Sequence, residues 1–206
     1  MNNVVVRSFV LLVVSTVIVL VSAFVLPHTP LETTKAGSSE SSMAAHGMAG
    51  MDAPVESEAA FISGMIPHHQ EAVESARAIL ATTERPELRD LAQNVVATQT
   101  KEIATLESWV ERWYPDAAGA NYAPMMVDPA GSSPAAAERT FLLGMIEHHQ
   151  GAIDMAQAYL DAGFAKHPEV AQLAETVVAV QDGEIERMQG WLKDWYGDAD
   201  PEPMTH

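Results

Sequence analysis

The sequence predicts an all-α fold, a four-helix bundle built from two duplicated helical hairpins. Three observations predict it. The tract Phe61-Ile62-Ser63-Gly64-Met65-Ile66-Pro67-His68-His69-Gln70 returns eighty residues later as Phe141-Leu142-Leu143-Gly144-Met145-Ile146-Glu147-His148-His149-Gln150. A second set of matches follows each copy: Pro86, Leu91, Val95, Gln99, Glu102, Ile103, Trp109, Trp113 and Tyr114 meet Pro168, Leu173, Val177, Gln181, Glu184, Ile185, Trp191, Trp195 and Tyr196. Apolar positions recur at spacings of three and four, the helical period, and no alternating strand pattern competes. Two copies fall short of the three or more repeats a solenoid needs, so two half-domains sharing one fold are expected.

The first helix is expected over Glu58 to Ala81, where Phe61, Met65, Ala72, Ala76 and Ile79 form one stripe. Pro67 lies inside that pattern and robs the carbonyl four residues back of its donor, which predicts a kink or a late start. The second helix, Glu87 to Trp113, begins beside Pro86, stripes through Leu91, Val95, Gln99, Glu102 and Leu106, and is stopped by Pro115. Asp116 to Ser133, with Gly119, Pro124, Pro129 and Gly131, reads as a long crossover loop. The third helix runs from Pro134, a favoured first-turn residue, to Ala162, with Gly163 just beyond its end. The fourth spans Pro168 to Trp195 and closes at Gly197. Two helical hairpins joined by one long connection make the ferritin-like layout. The bundle is expected over 58–196, with repeat one at 58–115, repeat two at 135–196 and a flexible tail at 197–206.

With 28 acidic against 11 basic residues and a formal charge of −17, the surface repels nucleic acid and anionic lipid and attracts cations. Ser8 to Leu26 is an uncharged, mostly apolar run preceded by Arg7, fitting either a membrane anchor or a signal peptide cleaved after Ala23. Either reading places residues beyond 1–26 outside the cytoplasm, in the periplasm or cell envelope, with a membrane contact only if the segment is retained. The chain has no Cys, so neither a lipobox anchor, a disulfide nor a thiolate ligand is available, and a soft-metal site must use Met and His. Residues 27–57 are rich in Pro, Thr, Ser, Gly and Ala and read as a flexible tether. Within it Met43, His46, Met48 and Met51 cluster among small residues, a candidate low-affinity capture arm for copper.

Met65, His68 and His69 stand at i, i+3 and i+4, near one face of a helix, as do Met145, His148 and His149. Adjacent His residues point about 100° apart, so one of each pair should aim at the bundle axis and the other flank it. Counting along antiparallel helices places Gln99 opposite His69 with Glu102 one turn further, level with Met65; Gln181 and Glu184 repeat the pattern. A carboxylate on an apolar stripe is costly unless paired or cation-bound. Met155 and Met188 are expected to border the same cavity, giving the second half the better soft-metal site, since Ser75 and Leu106 hold these places in the first. The Trp pairs at the hairpin ends read as packing. Met125 and Met126 in the crossover, and Met204 with His206 at the tail, are weaker candidates. His167, at a turn, reads as solvated.

The pattern Phe-x-x-x-Met-Ile-x-His-His-Gln-x-Ala, followed by Gln-x-x-Glu-Ile and a Trp late in the next helix, resembles the exported ferritin-like proteins grouped as domain of unknown function 305, which include copper-binding, metallochaperone-like members. The resemblance covers Glu58 to Tyr196. It implies copper handling outside the cytoplasm and ligand status for Met65, His68, His69, Met145, His148 and His149, and similar sequences also carry Met at the places of Met155 and Met188.

The favoured reading is therefore a copper-binding protein, chiefly for Cu(I), serving sequestration or delivery and not an enzyme, with iron and zinc ranked below copper. Metal ions, another copper-handling protein and a second copy of the bundle are the partners it admits. Two alternatives stand beside it: a ferritin-like di-metal oxidase, and a metal-free structural bundle whose His–Glu pairs satisfy one another.

Overall fold

The computed structural model describes residues 55–128 and 131–197. They form four helices, α1 (Glu58–Leu80), α2 (Pro86–Trp113), α3 (Pro134–Asp161) and α4 (Pro168–Tyr196), with no strand among the described residues. Helix α1 packs along α2, α3 along α4, and the hairpins meet chiefly through α1 and α3. The duplicated-hairpin bundle is thus the fold.

Local chemistry explains the helix ends. Ser57 and Ser133 cap α1 and α3, their hydroxyls accepting from the amides of Ala60 and Ala136 at 3.1 and 3.3 Å, while α2 and α4 start on proline, whose missing N–H costs nothing in the first turn. Gly197 ends α4 in the left-handed conformation at φ 74°, which a side chain would oppose. The expected late start at Pro67 does not occur: α1 begins nine residues earlier and continues through it, because tertiary packing on both sides outweighs one lost backbone bond.

The core divides in two. One cluster takes the C-terminal half of α1 (Ala72, Ala76, Ile79), the N-terminal half of α2 (Leu88, Leu91, Val95), the N-terminal half of α3 (Phe141, Leu142, Met145) and the end of α4 (Met188, Leu192). The other takes the opposite halves, with Phe61, Ile62, Met65, Leu106, Ala152, Tyr159, Val170 and Val177. The first half of α1 therefore meets the second half of α3, and the duplicated tracts cross at mid-bundle. Between the clusters lies a layer of buried polar groups.

Each end of the bundle is closed by a buried carboxylate. Glu58, at the start of α1, accepts from the hydroxyls of Tyr114 and Tyr159 at 2.7 Å each, from the Lys166 amide at 2.7 Å and the His167 amide at 3.1 Å, and contacts His167 Nδ1 at 2.6 Å. His167 also stacks on Trp113 with ring centroids 3.7 Å apart. It is thus tied into the α3–α4 turn, correcting the expectation of a solvated turn residue. Glu138, the repeat partner of Glu58, accepts from Thr83 at 2.7 Å, Arg85 at 2.8 Å and Tyr196 at 3.0 Å. Arg85 lies over Trp195 at 4.4 Å. The Trp pairs therefore pack, as expected, with a His or an Arg completing each stack. Each clamp ties the first turn of one hairpin to the connecting turn of the other.

Candidate metal centre

All four histidines of the repeated tract are fully buried. They form a row across the bundle: His69 and His68 have centroids 6.2 Å apart, His68 and His148 3.7 Å, and His148 and His149 6.4 Å. His68 and His148 meet at the centre of the row, with His69 and His149 flanking them. His68 faces α3 and His69 faces α2, so a helix flanked by two neighbours buries both despite the ~100° between them.

Carboxylates flank the row. His149 Nε2 pairs with Glu184 Oε2 at 2.8 Å. His69 Nε2 lies 2.8 Å from Glu102 Oε2, near enough for an electrostatic contact, but at an angle that leaves the nitrogen without a hydrogen bond. Glu102 and Glu184 thus contact the histidines directly. Gln99 and Gln181 are buried beside the row, each with its Oε1 lacking a partner.

Sequence reasoning missed Glu71. Its Oε2 lies 3.2 Å from His148 Nε2 and also accepts from the Tyr122 hydroxyl, while its Oε1 accepts from the amides of Met125 and Met126 at 2.7 and 2.8 Å. Tyr122 also comes within 3.4 Å of His148 Nε2 and presents its ring edge-on to His68 at 6.0 Å. The repeat partner of Glu71 is Gly151, so comparing the copies for shared residues hides it. The usable signal was an acidic residue three positions after His68.

Electrostatics keep the central pair neutral. Burial, then the neighbouring His148, pushes His68 well below the ordinary histidine value. Burial also lowers His148, although Glu71 pulls the other way. Burial opposes ionisation of Glu71, but bonds from His148, Tyr122 and Met126 outweigh it and hold the carboxyl down at about 2. Burial, then Glu71, pushes Tyr122 up, so its hydroxyl stays a donor. Neutral imidazole beside ionised carboxylate is the state in which histidine offers a lone pair to a metal.

The thioethers divide around the layer. Met145 and Met188 share one core cluster, while Met65 lies in the other with Met155 packed against it. Met155 and Met188 thus lie in different clusters; the Sδ of Met155 is 3.5 Å from where a Cβ on Gly64 would sit, at the crossing of α1 and α3. Soft donors thus lie on both sides of the imidazole row. Among the described residues no three His, Cys, Asp or Glu side chains are grouped so that they could by themselves hold a metal ion. The tether residues Met43, His46, Met48 and Met51, the tail residues Met204 and His206, and the apolar run Ser8 to Leu26 lie outside the described residues. Among the described residues no helix is long and apolar enough to cross a membrane.

Every buried side-chain nitrogen or oxygen without a hydrogen-bond partner among the described residues belongs to this layer: both ring nitrogens of His68 and His69, Nδ1 of His148 and His149, and Oε1 of Gln99 and Gln181. Such orphans cost about 1–3 kcal/mol each. Their concentration at one level, between thioethers, fits a soft cation whose bonds would replace the missing partners.

Fold and site together define a class: a duplicated-hairpin helical bundle whose two apolar clusters enclose a row of buried imidazoles. The chain belongs to the family described as domain of unknown function 305, whose model matches residues 58–138 and again 138–206. Solved structures of CopM in its Cu(I)-bound form are 31% identical at a TM-score of 0.60, covering 68% of this chain and 99% of that one. The Ag-bound form obtained by soaking is 32% identical at a TM-score of 0.59, covering 68% and 98%. A family fragment from Deinococcus radiodurans is 32% identical at a TM-score of 0.58, covering 66% and 95%. No curated protein matches the chain.

Proposed function

We propose that this protein binds copper, chiefly as Cu(I), outside the cytoplasm, for sequestration or delivery. His68, His69, His148 and His149 are the nitrogen donors. Met65, Met145, Met155 and Met188 are the thioethers, with Gln99, Gln181, Glu102 and Glu184 as oxygen donors or orienting partners. The observation that carries this reading is the concentration of unpartnered buried donors in one layer. Similarity to CopM, solved with Cu(I) and with silver, supports the soft-metal assignment, and the expected exported segment supports the location. Met43, His46, Met48 and Met51 would capture the ion before it reaches the bundle.

The layer disfavours both alternatives. A di-metal oxidase shares carboxylates between its metals, whereas Glu71, Glu102 and Glu184 each face a different histidine. A metal-free network should satisfy itself, yet six of the eight ring nitrogens in the row have no hydrogen-bond partner.

Thermal unfolding with and without metal tests the proposal. A cation held only by the folded state stabilises by mass action, so Ag(I) or Cu(I) at a hundredfold excess over Kd should raise Tm by about 5–10 °C. An unchanged Tm at saturating metal would return the layer to a purely structural role.

A further inference from the structure

The imidazole row is fully buried, and the crossover passes over its centre, with Tyr122 against both His68 and His148. Helix α2 ends beside one core cluster and α3 begins beside the other, so the crossover must travel the length of the bundle and pass the polar layer on its way. It does so at Tyr122 to Met126. There one carboxylate fastens it: Glu71 accepts from the Tyr122 hydroxyl and from two consecutive backbone amides. The Glu71 oxygen that holds Tyr122 is also the one facing His148 Nε2 at 3.2 Å, and the Tyr122 hydroxyl is 3.4 Å from that same nitrogen. Loop and imidazole therefore share a single oxygen.

That sharing has a mechanical consequence. Displacing a helix to expose the row would break an apolar cluster, whereas lifting the crossover releases three hydrogen bonds to one side chain, so the loop is the low-energy opening. An ion taken up by His148 changes what Nε2 offers to Glu71 and so changes the hold on Tyr122. The feature is one-sided: the second repeat carries Gly151 where the first carries Glu71. Two half-exposed thioethers, Met125 and Met126, lie on the strap, and Met126 packs against the cluster containing Met145 and Met188.

The geometry points to the segment Tyr122–Met126 as the port through which a soft monovalent cation reaches and leaves the imidazole row, with Glu71 as its latch and Met125 and Met126 as the first donors the ion meets. This inference rests on the soft-metal reading of the layer and adds a route and a direction to it.

Two measurements on the full chain test it. Hydrogen exchange of the metal-free protein reads the latch: Glu71→Gln should speed exchange of the Met125 and Met126 amides roughly tenfold while the helical core stays protected. Stopped-flow transfer of Ag(I) to a competing chelator reads the port. Tyr122→Phe should release Ag(I) roughly tenfold faster, and the double variant Met125→Leu with Met126→Leu, which keeps volume but removes sulfur, should slow uptake and release together with little change in affinity. Unaltered amide exchange in Glu71→Gln overturns the latch. Normal Ag(I) affinity with wild-type transfer rates in both loop variants overturns the port alone, whereas a wild-type chain that takes up no Ag(I) fails the soft-metal reading and the port with it.

Discussion

Replacing His148 and His149 together with alanine is expected to weaken Cu(I) binding by at least about a hundredfold, measured by competition with a Cu(I) chelator. The size follows from their place in the row. His148 is the member of the second repeat whose ring lies against His68, and His149 carries that half's carboxylate contact, so their loss removes one whole side of the layer. The thioethers of Met145 and Met188 remain but cannot supply nitrogen donors. Thioether binding needs no deprotonation while imidazole must be neutral, so the variant's residual affinity should also fall less steeply with acid than the wild type's. Unchanged affinity in a variant that keeps its helical spectrum would remove these histidines from the site.

The largest stability effect should come from an end of the bundle remote from the imidazole row. Glu58→Ala is expected to lower stability by about 3 kcal/mol, on the order of 10 °C in Tm, because it strands two tyrosine hydroxyls and two backbone amides around a buried space. Glu138→Ala should cost less, since Arg85 in that clamp is exposed enough to be solvated instead. Acid gives the Glu58 clamp a signature. Burial opposes its ionisation, but bonds from His167, Tyr114 and Tyr159 win and lower its pKa from 4.5 to about 2. The folded chain thus binds fewer protons here than the unfolded one, so this stabilisation is complete above about pH 4.5 and lost as pH falls toward 2. Denaturant melts of wild type and Glu58→Gln should therefore converge across that window. A gap independent of pH would mean the carboxylate charge is not what the clamp uses.

Much of this was legible in the chain. Helix boundaries fall within a residue or so of those read from Pro86, Pro134, Pro168 and Gly163, since prolines and end glycines act locally. The inward histidines and their carboxylates were legible because the duplication marks them twice. Side-chain contacts were less so: that Glu102 reaches His69 depends on rotamers, which a count along helices does not give. Which cluster each thioether joins was not legible, as residue spacing along α3 cannot reveal that α1 crosses it at Gly64. Glu71 escaped because its meaning comes from a distant loop and its repeat partner is glycine. The Glu58 and Glu138 clamps were readable but overlooked: both glutamates stand three residues before the repeated Phe, and Tyr114 recurs as Tyr196.

Copper K-edge X-ray absorption on the full chain, loaded under reducing conditions, tests the central claim most directly. Stoichiometric copper with both imidazole nitrogen and thioether sulfur around it is the expected result, with a weaker nitrogen signal when His148 and His149 are alanine and only His68 and His69 remain. Copper surrounded only by carboxylate or water oxygen, or a spectrum indifferent to that substitution, would contradict it.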